Sequence, residues 1–251
     1  IDKEGIFYFT PMGYDALFEG KKYFTPENDG PGNRKKSKIL EEGSFNLDNI
    51  LIEGKTYYEE SGITFEEGTF RDNKLNGEGK FYHKNGKLWQ EGTFKDGYLN
   101  GEGKSYHENG KLWEEGTFKD GYLNGEGKWY WENGKVWEDG NFKDGKLNGE
   151  GKSYHENGKL QYEGTLNGGI FIEGKKYREN GEVKEEGFFM ENWLIDGIIY
   201  NKNGKKLQEG TFENNEKEIY LHGKGIKYNE DGEIKEEGIF KENVLIEGIK
   251  Y

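Results

Sequence analysis

The sequence predicts an all-β fold: an elongated, single-layer antiparallel meander of β-hairpin repeats, about nine and a half units long. Three observations predict it. A 24-residue phrase recurs along the chain, two turn dipeptides punctuate each copy, and glycine is too dense for helix. The phrase is clearest over residues 92–115, recurs at Gly116, and returns with changes at Gly68 and Gly140. The unit-opening glycines are Gly5, Gly43, Gly68, Gly92, Gly116, Gly140, Gly164, Gly187, Gly210 and Gly238. Two residues after each stands Phe7, Phe45, Phe70, Phe94, Phe118, Phe142, Phe189, Phe212 or Phe240, with Leu166 as the exception.

Each element of the unit follows from its turns. Asp96-Gly97 and Asn109-Gly110 are dipeptides that accept the positive φ angles of type I′ hairpin turns. A nine-residue strand over 87–95, the Asp-Gly turn, an eleven-residue strand over 98–108 and the Asn-Gly turn account for the whole period. Two-residue turns fix the register, so partners follow by counting. Tyr106 is expected opposite Trp113, Lys104 opposite Glu115, Gly103 opposite Gly116, Phe94 opposite Leu99 and Gly92 opposite Gly101. Neighbouring units repeat this as Tyr82 with Trp89, Lys80 with Glu91, Tyr130 with Trp137 and Lys128 with Asp139. One face then carries Phe, Leu and glycine, with the Phe ring flat over bare backbone, and the other carries Tyr–Trp and Lys–Glu pairs.

The pattern G-x-[FW]-x-x-G-x-x-x-G-x-G followed by a turn glycine resembles the MORN repeat. The Glu-Asn-Gly-Lys-Leu-Trp-x-Glu-Gly phrase is similar to the bacterial variant of YwqK-type antitoxin-like proteins. That resemblance implies an elongated single-layer sheet and a scaffold or binding role with varied partners. The first glycine of Gly-x-Gly is replaced by Ile52, Ile172, Ile195 and Ile246, so the flanking units are expected to pack a larger side chain on the glycine face. The organisation expected is one repeat array over 1–251. Residues 1–42 form a divergent first unit with an inserted loop at 25–38, 43–163 hold regular units of 24–25 residues, and 164–251 hold divergent units ending in a truncated cap. A second insertion, 214–221, is expected to be a solvated loop. Two strands per unit at ~4.8 Å each predict a rod of roughly 90 Å.

Composition narrows the function classes. The chain has 251 residues, 31% hydrophobic and 34% charged, with a net charge of -13, a combination that borders on disorder. Its 17 Tyr, 16 Phe and 6 Trp oppose that reading. Without cysteine there is no disulfide framework and no thiolate chemistry. Residue 1 is Ile rather than Met, so the start is trimmed and the expectation leans to an exported or cell-envelope protein. Nucleic acid is not expected as a partner, because binding it needs a basic footprint, and Arg34, Lys35, Lys36 and Lys38 are a short basic run in an acidic chain.

No catalytic constellation emerges, and neither a cofactor nor a metal is expected. His83, His107 and His155 are equivalents in successive units, about 9.6 Å apart per unit, too far to share a metal, and they read as solvated turn-flanking residues. The carboxylates recur as partners of the lysine column, and Gly101-Glu-Gly103-Lys104 lacks the strand–loop–helix setting of a phosphate loop. The expectation is therefore a non-enzymatic scaffold that binds a protein partner through its sheet surface. An antitoxin or immunity protein that blocks a toxin enzyme is the alternative. Phospholipid-headgroup binding ranks last, since the net field repels anionic membranes, and a glycan remains open. Function is sought where one unit departs from its neighbours. Lys-Trp129-Tyr130-Trp131-Glu replaces Lys-Ser-Tyr-His-Glu, making Trp129 and Trp131 the candidate partner-binding residues, projecting on the glycine face.

Overall fold

The computed structural model describes residues 3–6, 18–24, 38–215 and 217–251. Phe7 and the inserted loop, apart from Lys38, lie outside the described residues. The chain divides into two compact units, Ile1–Leu123 and Asn124–Tyr251. The first contains β1 (Lys3–Ile6), β2 (Phe18–Phe24), β3 (Lys38–Phe45), β4 (Leu51–Tyr57), β5 (Thr64–Arg71), β6 (Lys74–Tyr82), β7 (Leu88–Lys95), β8 (Tyr98–Tyr106) and β9 (Leu112–Lys119). Strand β10 (Tyr122–Tyr130) leads into the second, followed by β11 (Val136–Lys143), β12 (Lys146–Tyr154), β13 (Leu160–Asn167), β14 (Ile170–Tyr177) and β15 (Val183–Met190). It continues with β16 (Trp193–Tyr200), β17 (Lys206–Asn214), β18 (Ile219–Tyr228), β19 (Ile234–Lys241) and β20 (Val244–Lys250). Helix is absent among the described residues, and each half is a single-layer antiparallel meander in which consecutive strands pair.

The two turns of a unit differ. At Asp96-Gly97 both residues have positive φ, 52° and 86°, and Lys95 faces Tyr98, as a type I′ turn requires. At Asn109-Gly110 only the glycine does, with φ 87°. There Gly110 N–H donates to His107 O at 2.8 Å and His107 N–H donates to Lys111 O at 2.9 Å. This is a three-residue loop with glycine in the left-handed position, one residue longer than a type I′ turn.

That extra residue overturns the expected aromatic ladder. Tyr106 faces Leu112 rather than Trp113, Tyr82 faces Leu88 rather than Trp89, and Tyr130 faces Val136 rather than Trp137. Each Trp occupies a bulge that absorbs the longer loop, so Ser105 still meets Glu114, Lys104 meets Glu115 and Gly103 meets Gly116. A second bulge separates Gly92 from Gly101. Gly92 faces Gly103 while Phe94 faces Leu99, leaving Asn100 and Gly101 as extra residues in β8.

The core lies on one face of each meander. Phe70, Phe94 and Phe118 are buried with Leu75, Leu99 and Leu123 in the first half, and Phe142, Leu147, Leu166 and Phe171 are the buried equivalents within the second. The nearest side chain to Gly103 is Leu99: a methyl group there would sit 2.7 Å from Leu99 Cδ2, so leucine, not the phenylalanine ring, covers bare glycine. Each fully buried leucine contributes about 1.5–3 kcal/mol. The isoleucine units depart from expectation too. Between Gly164–Gly174 and Leu166–Phe171 one bulge residue is lost, and Ile172 stands there 37% exposed; Ile246 is 63% exposed. Half of the insertion at 214–221 is strand: Asn214 faces Ile219, and Leu221 is fully buried opposite Phe212 in register.

Candidate partner-binding surface

Opposite the core face, strands β4–β9 enclose an open trough of about 860 Å³. Its floor is the backbone of Gly54, Gly68, Gly79, Gly92, Gly103 and Gly116. Side chains are missing along this line because strands approach closely there: a Cβ on Gly92, whose φ is +142°, would lie 2.3 Å from Glu102 O and 2.6 Å from Gly103 Cα. Residues immediately before and after the glycines form two rims.

One rim is electrically balanced. Lys55, Glu67, Lys80, Glu91, Lys104 and Glu115 alternate across the strands. Lys55 lies 3.3 Å from Glu67 and Lys104 lies 3.2 Å from Glu115. Glu67 and Glu91 each also accept a tyrosine hydroxyl from fifteen residues on: Tyr82 Oη donates to Glu67 at 2.8 Å and Tyr106 Oη to Glu91 at 2.7 Å. The hydrogen bond from Tyr82 and the nearby lysines hold the Glu67 carboxyl below its ordinary range, while burial and then the carboxylate push the Tyr82 phenol up to about 12. The same Tyr–Glu bond recurs as Tyr177 to Glu163, Tyr200 to Glu186 and Tyr228 to Glu209 in the second half.

The other rim is not balanced, which corrects the expectation that the carboxylates all partner lysines. Glu53, Glu78 and Glu102 point outward, exposed, with Thr69 and Thr93 between them. Thr93 donates to Glu78 and Thr117 to Glu102, each at 2.7 Å, yet none of the three carboxylates lies in an ion pair among the described residues. Glu126, Glu150, Glu173 and Asp196 occupy the same position in the second half, until Lys224 interrupts the row.

Trp129 and Trp131 are both half-buried on the core face. Trp129 packs on Phe142 at 5.6 Å and Trp137 at 5.4 Å, and Trp131 stacks on Trp137 at 4.8 Å. Trp137 therefore joins them instead of lying on the opposite face. Trp131 Nε1–H donates to Tyr154 O at 3.1 Å, as His83 Nε2 meets Tyr106 O at 3.0 Å at the same position two units earlier. The histidines correct another expectation, because they are half-buried rather than solvated: His83 reaches the next hairpin, His107 stacks on Trp113 at 5.8 Å, and the Nε2 atoms of His107 and His155 are buried without a hydrogen-bond partner among the described residues.

A second hollow of about 540 Å³ lies in the other half, between Tyr162, Lys176, Glu185, Asn192 and Trp193. Lys176 takes the position of Ser153 in the register and sits over the Phe189 ring at 4.3 Å. Burial lowers its amine to about 8, and Nζ donates to Asn192 O and Oδ1, both at 2.6 Å. No group of three or more potential metal ligands is clustered among the described residues. Sequence reasoning missed the Tyr–Glu bonds and the unbalanced rim, although both columns recur with the 24-residue period.

Five stretches match the family model described as "MORN repeat variant": residues 75–96, 99–120, 123–144, 147–167 and 221–242. No curated protein matches the chain. The five matched segments resemble MORN repeats, and each spans one of the three-residue glycine loops, such as that at Asn109-Gly110, with the two strands it joins.

Proposed function

We propose that this MORN-repeat protein is a non-enzymatic scaffold that binds a protein partner through its sheet surface. The trough of the first half carries the reading. Its core-side face is filled by Phe and Leu, whereas the trough face offers a bare glycine floor between polar rims, with nothing of the chain's own seated on it among the described residues. The family's scaffold role supports the absence of an enzymatic assignment. An antitoxin or immunity role is the second reading, favoured by the unpaired carboxylates of the outer rim, which would complement a basic toxin active site. The same charge disfavours anionic lipid.

Trp129 and Trp131 remain proposed as partner contacts, for protein or glycan, although their packing on Trp137 and Phe142 accounts for much of their surface. Capture of partners from the native cell tests both surfaces. The triple substitution Glu53→Gln, Glu78→Gln, Glu102→Gln should lose a partner that wild type retains. Trp129→Ser with Trp131→His copies the neighbouring units and isolates the indoles. Retention of every partner by both variants refutes the assigned surfaces.

A further inference from the structure

We infer that the trough of the first half takes an extended, basic polypeptide segment in the polyproline II conformation, with a Lys or Arg at every third residue; this rests on the scaffold reading above. The observation is a match of periods. Glu53, Glu78 and Glu102 stand on alternate strands, β4, β6 and β8, so successive carboxylates are about 9.6 Å apart across the sheet. A polyproline II chain has three residues per turn and advances about 9.3 Å in that turn, bringing every third side chain to the same side. A β-strand cannot do this. Its same-side residues are spaced by about 6.6 Å, and residues three apart point to opposite sides.

Three further features fit that occupant. The floor is glycine backbone, so a ligand main chain can lie close along the whole run from Gly54 to Gly116. Polyproline II needs no backbone hydrogen bonds of its own, and this floor's amides are committed to the sheet ladder through pairs such as Gly79 with Gly92 and Gly103 with Gly116. Charge sets the direction of preference. The inner rim already pairs Lys55, Lys80 and Lys104 with Glu67, Glu91 and Glu115, leaving the outer carboxylates to attract cations. Thr93 and Thr117 each donate to one oxygen of Glu78 and Glu102, which holds those carboxylates while their other oxygens stay available.

The test is fluorescence-anisotropy titration of the full chain with a peptide bearing arginine at every third position and proline between. Its control is a peptide of the same composition with the arginines clustered. The spaced peptide should bind more tightly, with affinity falling as salt rises. The Glu53→Gln, Glu78→Gln, Glu102→Gln variant should weaken it about ten- to hundredfold, the combined effect of three exposed charge pairs. Removing three exposed carboxylates elsewhere, by Glu59→Gln, Glu108→Gln and Glu156→Gln, should change it little. Circular dichroism of the bound peptide should keep the polyproline II signature, and a helical signature would overturn the proposal. Equal binding of the two peptides, or equal loss in both triple variants, would overturn it too. If the peptide fails while the trough variant still loses its native partner, the periodic-cation proposal falls and the scaffold reading stands; if the native partner is also retained, both fall.

Discussion

Substituting alanine at two facing glycines, Gly92 and Gly103, should give very different losses of stability. At Gly92 φ is +142°, a region that residues with a Cβ rarely adopt, and the new methyl would lie 2.3 Å from Glu102 O and 2.6 Å from Gly103 Cα. Neither contact can move without parting β7 from β8. Backbone strain of about 1–3 kcal/mol and overpacking of about 1–3 kcal/mol together give a cost of about 2–6 kcal/mol. At Gly103 the closest atom is Leu99 Cδ2 at 2.7 Å, the end of a side chain, so only the overpacking cost of about 1–3 kcal/mol applies. The double substitution sharpens the distinction. Leu99→Ala removes the obstructing methyls, at about 2–5 kcal/mol by itself, and in that background Gly103→Ala should cost little more. Gly92→Ala should remain costly. Because repeat arrays need not unfold all at once, native-state hydrogen exchange of the β7 and β8 amides is the suitable assay. Equal costs at the two glycines, or no coupling between Leu99 and Gly103, would refute the close-approach account of the trough floor.

Other consequences concern the remaining side chains. The raised phenols of Tyr82, Tyr200 and Tyr228, each pushed to about 12 by burial and then by a carboxylate, favour the folded state fully below about pH 10 and lose that contribution as pH rises through about 12. Replacing all three by Phe should flatten that alkaline fall in melting temperature; an unchanged slope would exclude the Tyr–Glu bonds as its source. Lys176, lowered to about 8 by burial, penalises the folded state below pH 8 and is relieved as pH rises toward its ordinary value. Lys176→Met should therefore raise the melting temperature at pH 7 and lose that advantage near pH 10.5, the ordinary value for a lysine amine. Trp113, 40% exposed and stacked on His107, should cost about 1 kcal/mol on conversion to Ala, whereas Trp137→Ala, losing two indole contacts, should cost about 2–3 kcal/mol by thermal or chemical unfolding. The reverse order would contradict the packing of Trp137 on Trp129 and Trp131.

The hairpin repeat was legible because its period, glycines and Asp-Gly turns are local signals. Asn109-Gly110 was ambiguous for a physical reason: glycine in a left-handed position serves both a two-residue type I′ turn and a three-residue loop. Counting could not separate them, since the bulge at Trp113 cancels the longer loop and restores Lys104 opposite Glu115. The predicted Lys–Glu pairs therefore survive while the Tyr–Trp pairs do not. The same blindness hid the two-residue bulge at Asn100 and Gly101, which moves Gly92 from Gly101 to Gly103 and brings the trough floor together. The unbalanced rim needed that register, because Glu78 and Glu102 have the same period as the carboxylates that do pair with lysine. Trp129 and Trp131 were placed on the correct face by alternation, but their third partner, Trp137, arrives there only through its bulge.

Photo-crosslinking in the native cell tests the binding face most directly. A photoreactive residue placed at Glu78 or Glu102 on the outer rim should give a discrete protein adduct, while one placed at Tyr98 or Tyr122, exposed at the hairpin turns, should give none. The trough variant carrying Gln at Glu53 and at whichever of Glu78 and Glu102 lacks the photoreactive residue should weaken the adduct. Adducts confined to the turn positions, with none from either rim residue, would contradict binding through the trough.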